Sequence, residues 1–569
     1  MAPLWPVLPR RGGNWIPLAL LLAFLSSWPA RGQQEASPPR PAQPPAAQAP
    51  APRAPSIRVT TRLVQIGVTV HDKNGAVPRL TQADFAVFDQ GKPRTISVFS
   101  ETAAAAAGAA AAPPEVLPRN VFSDLPRYEI AAPRSITIVL LDKINTLYGS
   151  APGSYEDTPL WVEDHALAYA RAQTIQYIKN LDPRDRVAIY ALGDSLDVLC
   201  DFTSDRSQLL AILEKGDARS RTSRETAEPK PFHSPVPGKA FNETVDRERQ
   251  EQAGIANGDR AVATMTALKA IADHVANIPG RKNLVWLTAN LPFSATELAR
   301  ILGPAGIAAY PVDGRGLQAR SMVKSMRDGI DADAIARGDI GLESSTEPSG
   351  LGTMRQLAEM TGGVAFVNRN DLSNSIRTAV EDSTGLYVLG FYIDEASADG
   401  KFHDLKVQLK LSGFRVRYPK GYFAYRDEPA TQTELRNNWL TAVHSPIESS
   451  AIPFLAEIAR GNEPAPDTLT VFGAIDPRAL RLKERNSLRE GAVDVSLVEQ
   501  DLTGKTLWES NYHLTIQMTP QEYTGALKTG VRFQKHLAPQ EGATMLRILV
   551  QDSNTALVGS MIIPLSQIQ

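Results

Sequence analysis

Hydrophobic and polar positions change their period along the chain. Between Ile57 and Phe99, short runs such as Phe85-Ala-Val-Phe88 and Thr95-Ile-Ser-Val-Phe99 are separated by the turns Asp72-Lys-Asn-Gly75 and Asp89-Gln-Gly-Lys92. Runs of this kind predict antiparallel strands. From Ser135 the pattern alternates between continuous apolar runs and helical spacing. Ile136 to Leu141, Arg186 to Leu192, Lys282 to Thr288, Ile307 to Val312, Val364 to Val367 and Leu386 to Ile393 read as buried strands. Residues 160–181, 205–215, 260–278, 295–302, 353–361 and 372–384 read as helices between them. A strand–helix alternation predicts a parallel or mostly parallel sheet with helices on both faces. After Ile393 the period returns to two: Val407, Leu409 and Leu411 alternate with Lys406, Gln408 and Lys410. Thr433 to Val443 predicts a connecting helix, and short strands recur from Leu469 to Leu565, as in a β-sandwich.

These periods divide the chain. Residues 57–100 form an N-terminal β module that is too small to be stable alone. An α/β domain spans 118–393. The strands of 394–424 are candidates to complete the first module's core, which would insert the α/β domain within a β-sandwich. Residues 425–465 read as a linker with a helix, and 466–569 as a C-terminal β-sandwich. The stretches 33–56 and 101–117 are rich in Ala and Pro and read as spacers. Polar insertions are expected at 217–257 and 316–350.

Composition narrows the function classes. The 569 residues carry 60 Lys and Arg against 62 Asp and Glu, a net charge of -2, which argues against a general nucleic-acid binder. One cysteine, Cys200, excludes an intramolecular disulfide framework and a multi-cysteine zinc site. Its setting, Val198-Leu-Cys-Asp-Phe202, predicts a buried, inert thiol. Residues 1–32 combine Arg10 and Arg11, an apolar Ile16–Leu25 stretch and Ala30-Arg31-Gly32, the layout of a cleaved signal peptide. The competing reading is an uncleaved anchor, for which the apolar stretch is short. With cleavage no integral membrane segment is expected, and the protein works outside the cytoplasm: periplasmic, cell-surface or secreted.

Catalytic motifs are missing. The eight histidines are scattered, and there is no His-Glu-x-x-His helix, phosphate-binding glycine loop or nucleophile elbow. What stands out is Asp142, directly after the first buried strand, with Asn145 and Thr146 beyond it. Ligands gather at the carboxyl ends of strands in open α/β sheets, so an ion or ligand site is one reading. A side-chain-capped turn is the other.

The chain resembles the von Willebrand factor A (VWA) domain proteins, and more narrowly the secreted bacterial VWA-related family. The resemblance rests on Leu80-Thr-Gln-Ala-Asp-Phe-Ala-Val-Phe-Asp89, Val139-Leu-Leu-Asp-Lys-Ile-Asn-Thr146, Leu181-Asp-Pro-Arg-Asp-Arg-Val-Ala-Ile-Tyr190, Pro279-Gly-Arg-Lys-Asn-Leu-Val-Trp-Leu287, Thr361-Gly-Gly-Val-Ala-Phe366 and Tyr387-Val-Leu-Gly-Phe-Tyr392. It implies a VWA-type, Rossmann-like, doubly wound sheet flanked by β-sandwich-like modules. It also implies a metal-ion-dependent adhesion site, usually holding Mg²⁺. Carried over, the ligands are Asp142, Thr146 and Thr264. Ile144 and Ala289 stand where two further oxygen ligands belong, so the site is degenerate. Asn145 and Asn290 are then candidates for a ligand-facing amide, and any Mg²⁺ would be weakly held. The expectation is an exported, non-catalytic protein that binds a protein partner or envelope component. The alternatives are an extracytoplasmic hydrolase with an unrecognised site and a purely structural envelope component.

Overall fold

The computed structural model describes residues 61–102, 117–125, 135–145, 171–215, 258–278, 281–288, 291, 293–314, 350–367, 372–382, 385–425, 428–461 and 468–569. The signal-peptide and spacer readings of 1–56, residues 103–116 of the second spacer, the polar insertions up to residues 257 and 349, and Thr146, Ala289 and Asn290 lie outside these residues.

The architecture mixes α and β. A five-stranded sheet runs in the order Ile307–Asp313, Lys282–Thr288, Ser135–Asp142, Asp185–Leu192, Leu196–Thr203. The first four strands are parallel and the last is antiparallel. Ser135–Asp142 is central and buried along its whole length, which explains the lack of polar alternation in its sequence. Parity sorts its side chains. Ile136, Ile138 and Leu140 face the same way as Tyr190, Leu284 and Trp286, against Leu268 and Ile271 of helix 258–274, Leu298 and Leu357. Val139 and Leu141 face the other way with Ile189, Val285 and Tyr310, against Ile178, Leu209, Leu213 and Ile376. Each such buried side chain contributes roughly 1.5–3 kcal/mol.

Around this unit the domain boundaries differ from those expected. The strand expected at Leu386 to Ile393 within the α/β domain (118–393) is Leu386–Asp394, and it pairs antiparallel with Thr61–Asp72, Thr61 opposite Asp394. Together with Val98–Thr102 and Arg415–Arg417 these form one sheet of the N-terminal module. A second sheet orders Gly421–Phe423, Phe402–Leu409, Phe85–Asp89 and Lys92–Arg94. The two share a core of Ile66, Val68, Phe85, Val87, Tyr387, Phe391, Leu405 and Val407. A continuous apolar strand is read equally well as part of a parallel sheet or of a sandwich core, so its partner could not be told from its sequence.

The start of the α/β domain moves as well. Val121–Ser123 pairs with Phe454–Arg460 in the C-terminal domain. Phe454–Arg460, assigned to the 425–465 linker, is thus a strand of the C-terminal sandwich. Its sheet continues to Leu469–Ile475 and Val531–Leu537. The facing sheet contains Leu488–Gln500, Thr506–Met518, Met545–Asp552 and Val558–Pro564, and both contribute to a single core. The helix Gln432–His444, opened by a Thr431–Glu434 capping box, packs Ala442 and Val443 on Val498, Leu549 and Val558. It is a layer of that domain rather than a connector.

The predicted strand Val364–Val367 is reduced to one bridge, Val312 with Phe366. The preceding helix, Leu351–Thr361, ends at Gly362 in the left-handed conformation, with φ at 78°. Cys200 is 6 % exposed on the edge strand. Burial, then the carboxylate of Asp201, pushes its thiol up to about 11. Relative to the ordinary value of 9.0, its thiolate population, and hence its alkylation rate at pH 8, is expected to be about 100-fold lower than in unfolded chain. Iodoacetamide labelling with and without denaturant measures this; equal rates would overturn it.

Candidate functional site

The carboxyl end of the central strand gathers five residues, Asp142, Asn145, Thr264, Trp286 and Thr288. Chain parity turns Asp142 to the same face as Ile138 and Leu140, and Trp286 of the neighbouring strand, registered against Leu140, lies on that face too. Helix 258–274 covers it and brings Thr264. The chain leaves the sheet by a turn in which Lys143 and Ile144 both donate backbone N–H groups to the Leu192 carbonyl, at 2.9 and 3.2 Å. This turn drives the Ile144 side chain into the apolar layer, where it is 5 % exposed, and folds Asn145 back over Asp142.

The result is a closed cluster. Asn145 donates from its backbone nitrogen to Asp142 Oδ1 at 3.0 Å and from Nδ2 to Asp142 Oδ2 at 2.9 Å. The same Nδ2 donates to Thr264 Oγ1 at 3.0 Å. Trp286 Nε1 donates to Asp142 Oδ2 at 2.9 Å, and the Thr288 side chain also hydrogen-bonds the carboxyl. Asp142, Thr264 and Trp286 are fully buried, and Asn145 is 1 % exposed. Burial raises the Asp142 carboxyl to about 6, against the opposing pull of these donors.

The structure brings Asp142 and Thr264 into one cluster, with Asn145 as the bridge between them. Asn145 itself, expected on a ligand-facing surface, is sealed inside the cluster; the turn that buries Ile144 carries it inward. Trp286 lies in the buried strand expected at Lys282 to Thr288, and nothing in that run marks it for the site. Its N–H points at Asp142 because the two strands are in register, a relation that period and composition do not encode.

The fit to a divalent cation can be judged from the donor set. Mg²⁺ needs an octahedron of oxygen lone pairs. Here N–H groups from Asn145 and Trp286 are aimed at the one carboxylate, Thr264 Oγ1 already accepts from Asn145, and Ile144 supplies a hydrocarbon. Asn145 Oδ1 alone has no hydrogen-bond partner. The cluster does not fit a hard cation, and among the described residues no group of three or more His, Cys, Asp or Glu side chains could hold a metal. A cavity of about 430 Å³ lies elsewhere, in the N-terminal module, lined by Gln82, Phe85, Phe88, Pro93, Ile96 and Lys410. Among the described residues no helix is long and apolar enough to cross a membrane.

No protein-family model and no curated protein matches the sequence. Several solved structures are similar at a distance. An aerotolerance-related membrane protein from Bacteroides fragilis is 13% identical, covering 43% of this chain and 98% of its own, with a TM-score of 0.23. BatB from Bacteroides thetaiotaomicron is 12% identical over 43% of this chain and 99% of its own, TM-score 0.23. The ArnB paralog VWA2 from Sulfolobus acidocaldarius is 9% identical over 83% of this chain and 78% of its own, TM-score 0.23. Similarity this slight carries no argument about the site.

Proposed function

We propose that the chain is an exported, non-catalytic interaction protein built on a doubly wound, VWA-type sheet, and that it engages a protein or envelope partner without a metal ion. One observation supports this reading above the others. The acid that would serve as metal ligand or general base, Asp142, is fully buried and already accepts hydrogen bonds at both oxygens. A carboxylate in that state presents nothing to a substrate, so recognition falls to the surrounding surface.

The test uses the full mature chain in two assays. Titration calorimetry and thermal melts with 10 mM MgCl₂ or MnCl₂ are expected to give no saturable binding and no stabilisation. A ligand present at about 100 times its Kd would add about 2.7 kcal/mol. Cross-linking and pull-down from envelope material are expected to capture the same partner with and without EDTA. Metal binding that Asp142→Ala abolishes, or a partner released by EDTA, would sink the metal-independent reading.

A further inference from the structure

The joint between the α/β unit and the C-terminal sandwich is built on one buried histidine. His274 ends helix 258–274, and its side chain is 6 % exposed. Its Nε2 lies 3.3 Å from Asp201 Oδ1, on the edge strand Leu196–Thr203. Its Nδ1 lies 2.7 Å from the backbone carbonyl oxygen of Glu448, in the segment entering the C-terminal sandwich. Phe202 stacks on the ring with planes 6° apart. A carbonyl oxygen can only accept, and so can an ionised carboxylate; an imidazole that satisfies both must donate from both nitrogens, which only the cation can do.

The segment held by this ring is also held beside it. Ser450 donates from its backbone nitrogen to the Asp273 carbonyl at 3.0 Å and from its hydroxyl to the His274 carbonyl at 2.8 Å. Asn277 Nδ2 donates to the Ala451 carbonyl at 3.2 Å. On its other side the segment is stitched to the strand Val558–Pro564, Ser560 donating its N–H to the Ser449 carbonyl at 2.8 Å. Glu448–Ala451 is thus clamped between the two domains, with His274 as its one titratable contact from the helix.

We propose that His274 is a pH-sensitive clasp: as the imidazolium it ties the Glu448–Ala451 segment to Asp201, and on losing its proton it loosens the C-terminal sandwich from the α/β unit. Neutral imidazole keeps a single N–H. Either the Glu448 carbonyl or the Asp201 carboxylate then faces a lone pair instead of a donor.

The surrounding charges favour the cation. Burial would lower the His274 pKa, but the hydrogen bond and charge of Asp201, with the Glu448 carbonyl and side chain, outweigh it and leave a net rise from 6.5. Burial opposes the charge of Asp201 as well, yet His274 and the hydroxyl of Tyr190, which donates at 2.7 Å, hold it down at about 2. The other groups at the joint are accounted for. Asp273 pairs with Lys269 on the same helix, and Cys200 beside Asp201 stays protonated. Glu448 Oε1 accepts from the Ile562 nitrogen at 2.8 Å, and Arg547 donates to the carbonyls of Ala442 and Ser445. Because the folded-state pKa of His274 lies above its unfolded value, the stabilisation is complete below about pH 6.5 and fades as pH rises through the folded value.

The test is hydrogen–deuterium exchange of the full chain at pH 6 and pH 8.5, corrected for intrinsic rates, with histidine-selective NMR to titrate the ring. Exchange protection over residues 445–452 and 271–278 is expected to fall at the higher pH. The fall should be tenfold for each unit by which the folded pKa exceeds the unfolded one. In His274→Gln that fall should vanish. Should this variant not fold, Asp201→Asn, which removes a half-exposed carboxylate, is expected to shift the His274 titration below 6.5 and reduce the fall. Equal wild-type protection at both pH values, or a variant that keeps the full pH dependence, overturns the clasp.

Discussion

Asp142→Ala is expected to destabilise the α/β unit by roughly 3 kcal/mol or more at pH 5, and by less at pH 8. The substitution strands the Asn145 backbone N–H, one of the two N–H groups of the Asn145 amide (the other keeps Thr264 Oγ1) and the Trp286 indole N–H in a dry interior, and each unmet buried donor costs about 1–3 kcal/mol. The pH dependence follows from the carboxyl itself. Its folded-state pKa is raised, by burial first, from 3.8 to about 6. The protonated acid is therefore favoured on folding; its contribution is complete below pH 3.8 and is lost as pH rises through 6, by up to roughly 3 kcal/mol. Subtracting the two proteins' urea-unfolding profiles at each pH isolates this term from the other acids. A wild-type minus variant difference that grows toward pH 8 would overturn the closed-cluster account, since a charge-binding or metal-binding carboxylate behaves in that opposite sense. Asp142→Asn serves as the control: it keeps one acceptor and removes the charge, so it should lie between the two.

Gly363→Ala is expected to cost about 3 kcal/mol, and to lower Tm by roughly 6–12 °C for a unit of this size. A methyl group at Gly363 would sit 1.9 Å from the Ala309 carbonyl oxygen and 2.7 Å from its carbon. These are backbone atoms of a sheet strand and cannot rotate aside. Gly363 lies in the segment that closes this edge of the sheet: Thr361 Oγ1 accepts from the Ala309 nitrogen at 2.9 Å, and Phe366 donates its N–H to the Pro311 carbonyl at 2.8 Å. The methyl must push that segment off the edge. Gly352→Ala, where nothing lies within 4 Å, is the matched control in the preceding helix, Leu351–Thr361, and should change Tm little or raise it. Similar melts for the two variants would refute the close-approach argument.

Much of the α/β unit was legible because its four parallel strands are buried on both faces, so continuous apolar runs marked them; the edge strand Leu196–Thr203, only partly buried, carries no such run. The helix end at Gly362 has a local signature, the glycine pair after Thr361 that supplies a left-handed residue. Pairing across long separations was not. Leu386–Asp394 has the composition of any buried strand, and only its partner, Thr61–Asp72, makes it part of the β module. Val121–Ser123 is three residues long, too short for a period, and owes its place entirely to Phe454–Arg460. At the site, Asp142 and Thr264 could be picked out by position relative to a known pattern. Closure of the cluster could not, because it depends on the register that points Trp286 at Asp142 and on the turn that draws Asn145 inward. The reading of an open ligand face failed at Asn145 for that reason. The His274 joint leaves no mark in the sequence: the histidine lies on a helix, Asp201 and Phe202 on an edge strand, and Glu448 in the expected 425–465 linker.

The interleaving of the chain through its domains bears on how it is made. His71 and the Glu381 carbonyl meet at 2.9 Å across 310 residues of sequence. A ribosome adding about 5–20 residues per second needs roughly 15–60 s to cover that distance. Through all of it the strand Thr61–Asp72 lacks its central neighbour, Leu386–Asp394, and the facing sheet has only Phe85–Asp89 and Lys92–Arg94, while Val121–Ser123 waits longer for Phe454. The two ends of the molecule cannot fold in the order in which they emerge. Whatever carries the nascent chain must keep these apolar edges apart until the last third is delivered, and a cut anywhere between 124 and 385 divides the strands of both sandwiches.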